Sequence, residues 1–431
     1  MFDPEIGFTS DVIKEPERFV GRADLLRDAL RALNSKHGLI AIYGKRGVGK
    51  SSLVRQLQQL ALGDYQLLQK AGLYHLVPQS PRTYLTVYYQ CDSAIQNAEG
   101  LLNRLINDQD DEDGLLRLVP NEGKELVEFT RTKSVNAGCD LKVVNWGVEG
   151  IEASKYVRTA GNDVTQTFRN FVTATVAHQV KNRSKRDGLL IMLDEFDVIQ
   201  DKSNIGSLIK SLSSETVKFC ISGIAHDIAA LVQDHQSVQR LLEEGSLLVK
   251  PMPTAEATGI IERAEALYQK QLVFEDGVKK SIAAVSAGYP YFVQLLGKAC
   301  VQKANELGQN VITSEIWESL LNEVKEGVAF PPLEGKYQRA IGNSDQRRIL
   351  LHLLAEQPEE AAGITEESGR VRLKETRGVA QEFQITNVGQ LIPRLLDRNY
   401  GPVLEKVRDR DGVYEFVDPV FRLYVRLRTL D

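Results

Sequence analysis

Two stretches of the chain are apolar without interruption, residues 39–43 (Leu-Ile-Ala-Ile-Tyr) and residues 189–193 (Leu-Leu-Ile-Met-Leu). Runs this short with no polar alternation predict strands buried on both faces, as in a parallel sheet. Residues 83–90 and 217–222 are rich in β-branched and aromatic side chains and predict two more strands, with residues 246–249 a short fifth. Elsewhere the period changes. Leu53, Leu57 and Leu60 recur at helical spacing, as do Phe168, Phe171, Val172 and Val176, and later Ile260, Ile261, Ala264 and Leu267. Strands alternating with helical patterns predict an α/β fold around a parallel sheet.

The last hundred residues read differently. Pro331-Pro332-Leu-Glu-Gly335 has the composition of a linker. Ile349, Leu350, Leu353 and Leu354 mark one amphipathic helix; Val388, Leu391, Ile392, Leu395 and Leu396 mark a second over residues 388–398. Two apolar segments then flank a turn at Asp411-Gly412, residues 403–407 and 413–417. Helices followed by strand, turn and strand predict a winged helix.

Length and composition narrow the picture. A chain of 431 residues exceeds one ordinary core, so two or three domains are expected. The apolar and charged fractions, 42% and 26%, are those of a soluble globular protein. The net charge of −5 argues against a general polyanion binder but leaves room for a local basic face. Cys91, Cys139, Cys220 and Cys300 form no C-x-x-C pair, so neither a zinc site nor a disulfide framework is expected. The chain start has no basic and apolar leader pattern, and no apolar run reaches the length of a membrane span. A cytoplasmic location with reduced thiols and no membrane partner follows as the expectation.

The chemistry begins immediately after the first apolar run. Gly44-Lys45-Arg46-Gly47-Val48-Gly49-Lys50-Ser51 is G-x-x-x-x-G-K-[ST] with every fixed position filled, between a strand and a helix. Glycines let the backbone curl so that successive N–H groups point at phosphate oxygens, and the following helix N-terminus adds partial positive charge. Residues Gly44 to Ser52 thus form a candidate cradle for ATP. Lys50 would reach the β and γ phosphates, and the Ser51 hydroxyl would join a Mg²⁺ shell. The blander reading is a glycine-rich turn.

Hydrolysis needs more than a cradle. The run 189–193 ends in Asp194-Glu195-Phe196-Asp197, and a carboxylate at the C-terminal end of a central strand faces the ligand crevice. Asp194 is the candidate metal-holding group and Glu195 the candidate for polarising the attacking water; read blandly, both cap a strand end. Asp197 reads as a solvated or helix-capping acid. An extra strand between the loop strand and the acidic strand would leave Glu195 room to hold a water. Ser222, closing the strand 217–222, is placed to sense the γ-phosphate; with Gly223 it equally reads as a turn.

Phe19-Val20-Gly21-Arg22 stands ahead of the loop, with Leu25 and Leu26 following. With the loop and the Asp194-Glu195 strand, it resembles the Phe-x-Gly-Arg box of two groups. One is the STAND signalling ATPases, including archaeal-type and NB-ARC-like members; the other is the origin-recognition AAA+ ATPases. The resemblance implies that Val20, Gly21 and Arg22 lie beside the adenine. It also implies that Arg240, between the fourth and fifth strands, is an arginine finger; the bland reading gives it a helix end. Gly288-Tyr-Pro290 looks like the STAND Gly-x-Pro motif, whose proline packs on the adenine, although proline suits any first helical turn. No sensor arginine of the origin-recognition type stands there, which favours the STAND side.

The expected organisation is an AAA+-like P-loop NTPase domain over residues 1–250, interrupted by an insertion at about 92–187, then a helical lid (251–330) and a winged helix (335–431). The insertion carries an acidic run (Asp108-Gln-Asp-Asp-Glu-Asp113), read as a solvated loop, and a possible hairpin around residues 141–151. It is a candidate partner-binding surface. From Ile341 onward fourteen Lys and Arg stand against fifteen Asp and Glu, with Arg370, Arg372, Lys374 and Arg377 the one basic cluster. That near-neutral balance is thin footing for phosphate-backbone binding. The expectation is therefore a Mg²⁺-dependent ATPase switch acting on a protein partner or its own assembly. The alternative is an origin-recognition or transposition-regulator type of AAA+ protein whose winged helix binds duplex DNA.

Overall fold

The computed structural model of the chain describes residues 1–118, 164–177, 179–180, 185–225, 231, 245–357, 362–363, 370–372, 382–384, 388–407 and 413–429. It divides into two compact units. One comprises Met1–Arg22, which includes the helical turn α1 (Pro4–Gly7), together with Lys45–Gly49 and Val249–Asp431; the other comprises Ala23–Gly44 and Lys50–Leu248.

The second of these is built on five parallel strands: β1 (Leu39–Gly44), β2 (Tyr84–Gln90), β3 (Gly188–Asp194), β4 (Val217–Ile224) and β5 (Ser246–Leu248). Their order is β2-β3-β4-β1-β5. All five expected strands form, and β4 is the strand expected between β1 and β3. Ile42 pairs with Ser222 and Leu193 with Ile221. Helices α2 (Ala23–Asn34), α3 (Lys50–Leu62), α4 (Gln66–Lys70), α5 (Ala98–Ile106), α6 (Val164–Thr175) and α7 (Ile205–Leu212) accompany the sheet. Leu39, Ala41, Leu189, Ile191, Leu193, Phe219 and Ile221 share one core with α5, α6 and α7. Strand side chains alternate between faces, so Ile42, Met192, Asp194, Cys220 and Ser222 point to the opposite face. This double burial explains the unbroken apolar runs.

Two polar devices finish this unit. Lys218 is fully buried on β4, and its Nζ donates to the carbonyls of Ala32, Ser35 and His37, capping the C-terminal end of α2. The edge of β2 away from β3 is met by the end of the acidic run and the segment after it. Tyr88 N–H donates to the Asp113 carbonyl (3.0 Å), and Arg117 donates to the Thr86 carbonyl (2.6 Å). Residues 119–163, with the expected hairpin, lie outside the described residues.

The other unit is mainly helical: α8 (Thr254–Leu267), α9 (Asp276–Val285), α10 (Pro290–Glu306), α11 (Ser314–Glu326), α12 (Pro331–Ile341) and α13 (Asp345–Glu356). A two-residue parallel pair, β6 (Val273–Phe274) with β7 (Val311–Ile312), ties its first part. Residues 1–8 pack into it. Phe8 is fully buried against Gly297, and Tyr268 donates its hydroxyl to the Asp3 carbonyl at 2.9 Å.

Its last part contains β8 (Ala362–Gly363), the pair β9 (Arg370–Arg372) and β10 (Glu382–Gln384), α14 (Val388–Leu396), β11 (Leu404–Lys406), β12 (Val413–Phe416) and α15 (Pro419–Leu427). β11, β12 and β8 form an antiparallel sheet in that order. Val324, Tyr337, Leu350, Leu354, Ile392, Leu395, Phe416, Phe421 and Tyr424 are in its core. One expectation is corrected here. Pro331-Pro332 opens a helix rather than a linker: proline lacks the N–H that the first helical turn leaves unbonded, and its φ is already helical. The expected helix 388–398 ends at Leu396, where Asp397 caps a following 3₁₀ turn.

Candidate nucleotide-binding site

β1 ends at Gly44 and α3 starts at Lys50, so residues 45–49 form the turn the motif requires. Gly47 (φ 79°) and Gly49 (φ 93°) adopt backbone conformations that side chains disfavour. Lys50, Ser51 and Ser52 occupy the first turn of α3, where helical N–H groups have no helical acceptor and the dipole is positive. α3 holds this end in place by burying Leu53, Leu57 and Leu60.

On the sheet, Asp194 closes β3 with its side chain 2% exposed. Its Oδ2 accepts the Tyr88 hydroxyl at 2.8 Å, and its Oδ1 accepts the Glu195 N–H at 3.0 Å. Glu195 itself is exposed and left-handed (φ 53°, ψ 36°), a conformation that costs a non-glycine residue about 1–3 kcal/mol and concentrates at functional sites. Burial and the surrounding carboxylates, Asp194 foremost, push the neighbouring Cys91 thiol well above its ordinary range. Asp194, Glu195 and Asp197 place three acidic residues at this strand end.

Ser222 is fully buried, and its Oγ has no hydrogen-bond partner among the described residues. A buried hydroxyl left so costs about 1–3 kcal/mol, and a bound water or ligand oxygen would relieve it. Asp197 departs from the reading as a solvated or helix-capping acid. Its Oδ1 accepts the Ile224 N–H at 2.7 Å and lies 2.6 Å from where a Cβ on Gly223 would sit, pinning the turn after β3 to the end of β4.

The loop residues 45–49 have neighbours of their own in the largely helical unit. Pro290, the first residue of α10, lies beside Gly49, where an added Cβ would be 3.9 Å from its Cγ. Gly288 brings the chain there. Its φ is 80°, and a Cβ would fall 2.2 Å from the Met252 carbonyl oxygen. Val20 packs on α8 at Gly259, and Gly21 on Glu256. Arg22 donates from one guanidinium nitrogen to the Val48 carbonyl (2.8 Å) and from another to the Lys250 carbonyl. Burial draws its pKa down to about 10 against the pull of Glu256. Arg22 thus grips the loop backbone directly, a contact for which the sequence carries no local signal.

Two more neighbours of the loop come from the C-terminal part. Lys45 Nζ lies 3.6 Å from the Glu415 carboxylate of β12, and Val420 of α15 lies against Gly47, 3.3 Å from an added Cβ. Asp418 holds α15 in place, accepting from the Val420 N–H (3.0 Å) and pairing with Lys336 at 3.4 Å. Burial lowers the Lys336 pKa, with Asp418 opposing and Arg46 adding to the shift. Arg240 lies outside the described residues.

Among the described residues no cluster of three His, Cys, Asp or Glu could hold a metal alone. A phosphate-bound magnesium ion needs none, since phosphate oxygens, one hydroxyl and one carboxylate suffice. The start of α3, the buried Asp194 and the Ser222 hydroxyl, which has no partner among the described residues, each suit a nucleotide with such an ion. Among the described residues no helix is long and apolar enough to cross a membrane.

Residues 18–221 match the family model of an AAA ATPase domain. No curated protein matches the chain. Among solved structures, a Walker-type ATPase of Pyrococcus abyssi aligns over 97% of this chain and 99% of its own, at 14% identity and TM-score 0.49. The ORC1 protein of Aeropyrum pernix, solved in complex with DNA, aligns over 97% and 93% at 14% identity and TM-score 0.44. The RuvB Holliday junction branch migration motor of Thermotoga maritima aligns over 78% and 80% at 13% identity and TM-score 0.41. The family match spans the loop, the acidic strand and most of the sheet that carries them, and that sheet has the parallel α/β P-loop fold.

Proposed function

We propose that the chain binds and hydrolyses ATP with Mg²⁺ and works as a STAND-like switch whose C-terminal part responds to the state of the phosphate loop. The observation that carries this reading is the pairing of loop residue Lys45 with Glu415, together with Val420 against Gly47. A C-terminal module in contact with the loop backbone is positioned to register what the loop holds. The order of α12, α13, β8, α14, β11 and β12 supports reading that module as a winged helix. Helices α8 to α11 would then be the lid.

In this mechanism the backbone N–H groups of residues 45–51 and the Lys50 ammonium bind and orient the phosphates. Ser51 and Asp194 would hold the magnesium ion, which neutralises charge on the phosphoryl oxygens when bound. Glu195 orients the attacking water, and Ser222 donates to the γ-phosphate or to that water. Arg240 supplies further positive charge, and Val20, Gly21, Arg22 and Pro290 flank the base. Loss of the γ-phosphate changes what Lys50 and the loop hold, which shifts the balance at Lys45 and Glu415. A near-complete switch needs the nucleotide to favour one state by about 5.5 kcal/mol.

The test is the Glu195→Gln variant, examined for ATP affinity by calorimetry and for turnover by phosphate release. ATP affinity should stay near wild type while turnover falls by at least about a hundredfold. Unchanged turnover would remove Glu195 from the mechanism. Duplex DNA at physiological salt should leave wild-type turnover unchanged; marked stimulation would favour the DNA-binding alternative.

A further inference from the structure

Asp194 is held by more than its strand. Tyr88 on β2 pairs in register with Met192 on β3, so its side chain lies on the same face as Asp194. Its hydroxyl reaches Asp194 Oδ2 at 2.8 Å, both side chains being buried. The ring is held from a third element, since the Arg55 guanidinium of α3 stands 3.3 Å from its centroid. Arg55 in turn donates to Asp113 Oδ2 (2.7 Å) and Gln58 Oε1 (2.8 Å). Gln58 Nε2 donates to Asp113 Oδ1 (2.6 Å) and Thr86 Oγ1 (3.2 Å). The Tyr88 N–H closes the circuit on the Asp113 carbonyl at 3.0 Å. Asp113, the last acid of the run read as solvated, is therefore half-buried and paired.

We propose that Tyr88 is a positioning residue that sets the Asp194 carboxylate for the metal ion, and that Arg55 and Asp113 set Tyr88. The inference rests on the ATPase reading above. A carboxylate has about four lone-pair directions. Tyr88 and the Glu195 N–H take one on each oxygen of Asp194, which fixes the plane of the group and leaves the others in defined directions. A phenylalanine would fill the same space and stack on Arg55 equally well; only the metal-directed bond needs the hydroxyl. The acidic run is thereby wired through α3, the helix that follows the phosphate loop, to the metal-holding acid.

The Tyr88→Phe variant separates positioning from packing. The probe is Mn²⁺ with a non-hydrolysable ATP analogue, followed by electron paramagnetic resonance, alongside thermal melting with ATP in EDTA. The rise in melting temperature that ATP brings without metal should match wild type, while Mn²⁺ affinity falls about tenfold, the scale for groups that orient metal-holding residues. The Mg²⁺ concentration giving half-maximal turnover should rise in parallel. Arg55→Lys, which keeps the charge but loses the fork, should give a smaller shift in the same direction, and carries the test if Tyr88→Phe fails to fold. Wild-type metal affinity in a folded Tyr88→Phe or Arg55→Lys protein would overturn the inference alone. A wild-type protein with no metal-dependent nucleotide binding would overturn the ATPase reading with it.

Discussion

The Lys45 ammonium of the phosphate loop lies 3.6 Å from the carboxylate of Glu415, whose side chain is only 7% exposed. The two are far apart in sequence, and each stands in a segment with its own task. One segment is the glycine turn between β1 and α3; the other is the last strand of the C-terminal sheet. Neutralising Glu415 removes its attraction for the loop lysine. Glu415→Gln should therefore loosen the C-terminal part from the loop. Release of a fluorescent ADP, followed by stopped flow, should accelerate about tenfold, equivalent to about 1.4 kcal/mol. An unchanged release rate would disconnect Glu415 from the switch.

Arg22 donates to two backbone carbonyls, one of them in the loop. Charge-assisted hydrogen bonds of this kind contribute about 1.5–3 kcal/mol each. Arg22→Met should lower unfolding stability by about 2–4 kcal/mol and weaken ATP binding several-fold. Arg22→Lys should recover only part, because an ammonium cannot reproduce the planar fork. Urea denaturation and calorimetry read the two effects; equal behaviour of Met and Lys would contradict the assignment.

Glu195 holds a left-handed backbone with its side chain in solvent. Glycine adopts that conformation without the steric cost, so Glu195→Gly should stabilise the fold by about 1 kcal/mol in urea while abolishing turnover. A destabilised variant would mean that the conformation is set by interactions of the side chain.

Gly288 and Gly277 make a matched pair. A methyl group at Gly288 would meet the Met252 carbonyl in a left-handed backbone, whereas Gly277 has nothing within 4 Å and sits in helix α9. Gly288→Ala should cost more than about 2 kcal/mol and shift Pro290, weakening ATP binding. Gly277→Ala should stabilise by about 0.4–1 kcal/mol and leave binding alone. Thermal melts with and without ATP distinguish them.

Much of the frame was legible because burial on both faces demands unbroken apolar runs. Residues 39–43 and 189–193 could be little else, and the loop between Gly44 and Ser51 carries its conformation in its glycines. The prolines at 331 and 332 misled because their composition suits a linker as well as a first helical turn. Asp197 misled for a related reason: an acid after a strand looks solvated until the neighbouring strand presents the Ile224 N–H.

By itself the sequence determined the strand, glycine turn and helix of the phosphate-loop motif, the acidic end of β3 and the alternation that makes the sheet parallel. These depend on residues within a few positions of one another, where backbone geometry and burial leave one solution. Tertiary structure alone decided that Arg22 grips Val48, that Glu415 meets Lys45, and that Tyr88, Arg55 and Asp113 stand behind Asp194. Each joins segments distant in the chain. A hydrogen bond or ion pair of this kind leaves no periodicity, because its partner is chosen by the packing of whole elements.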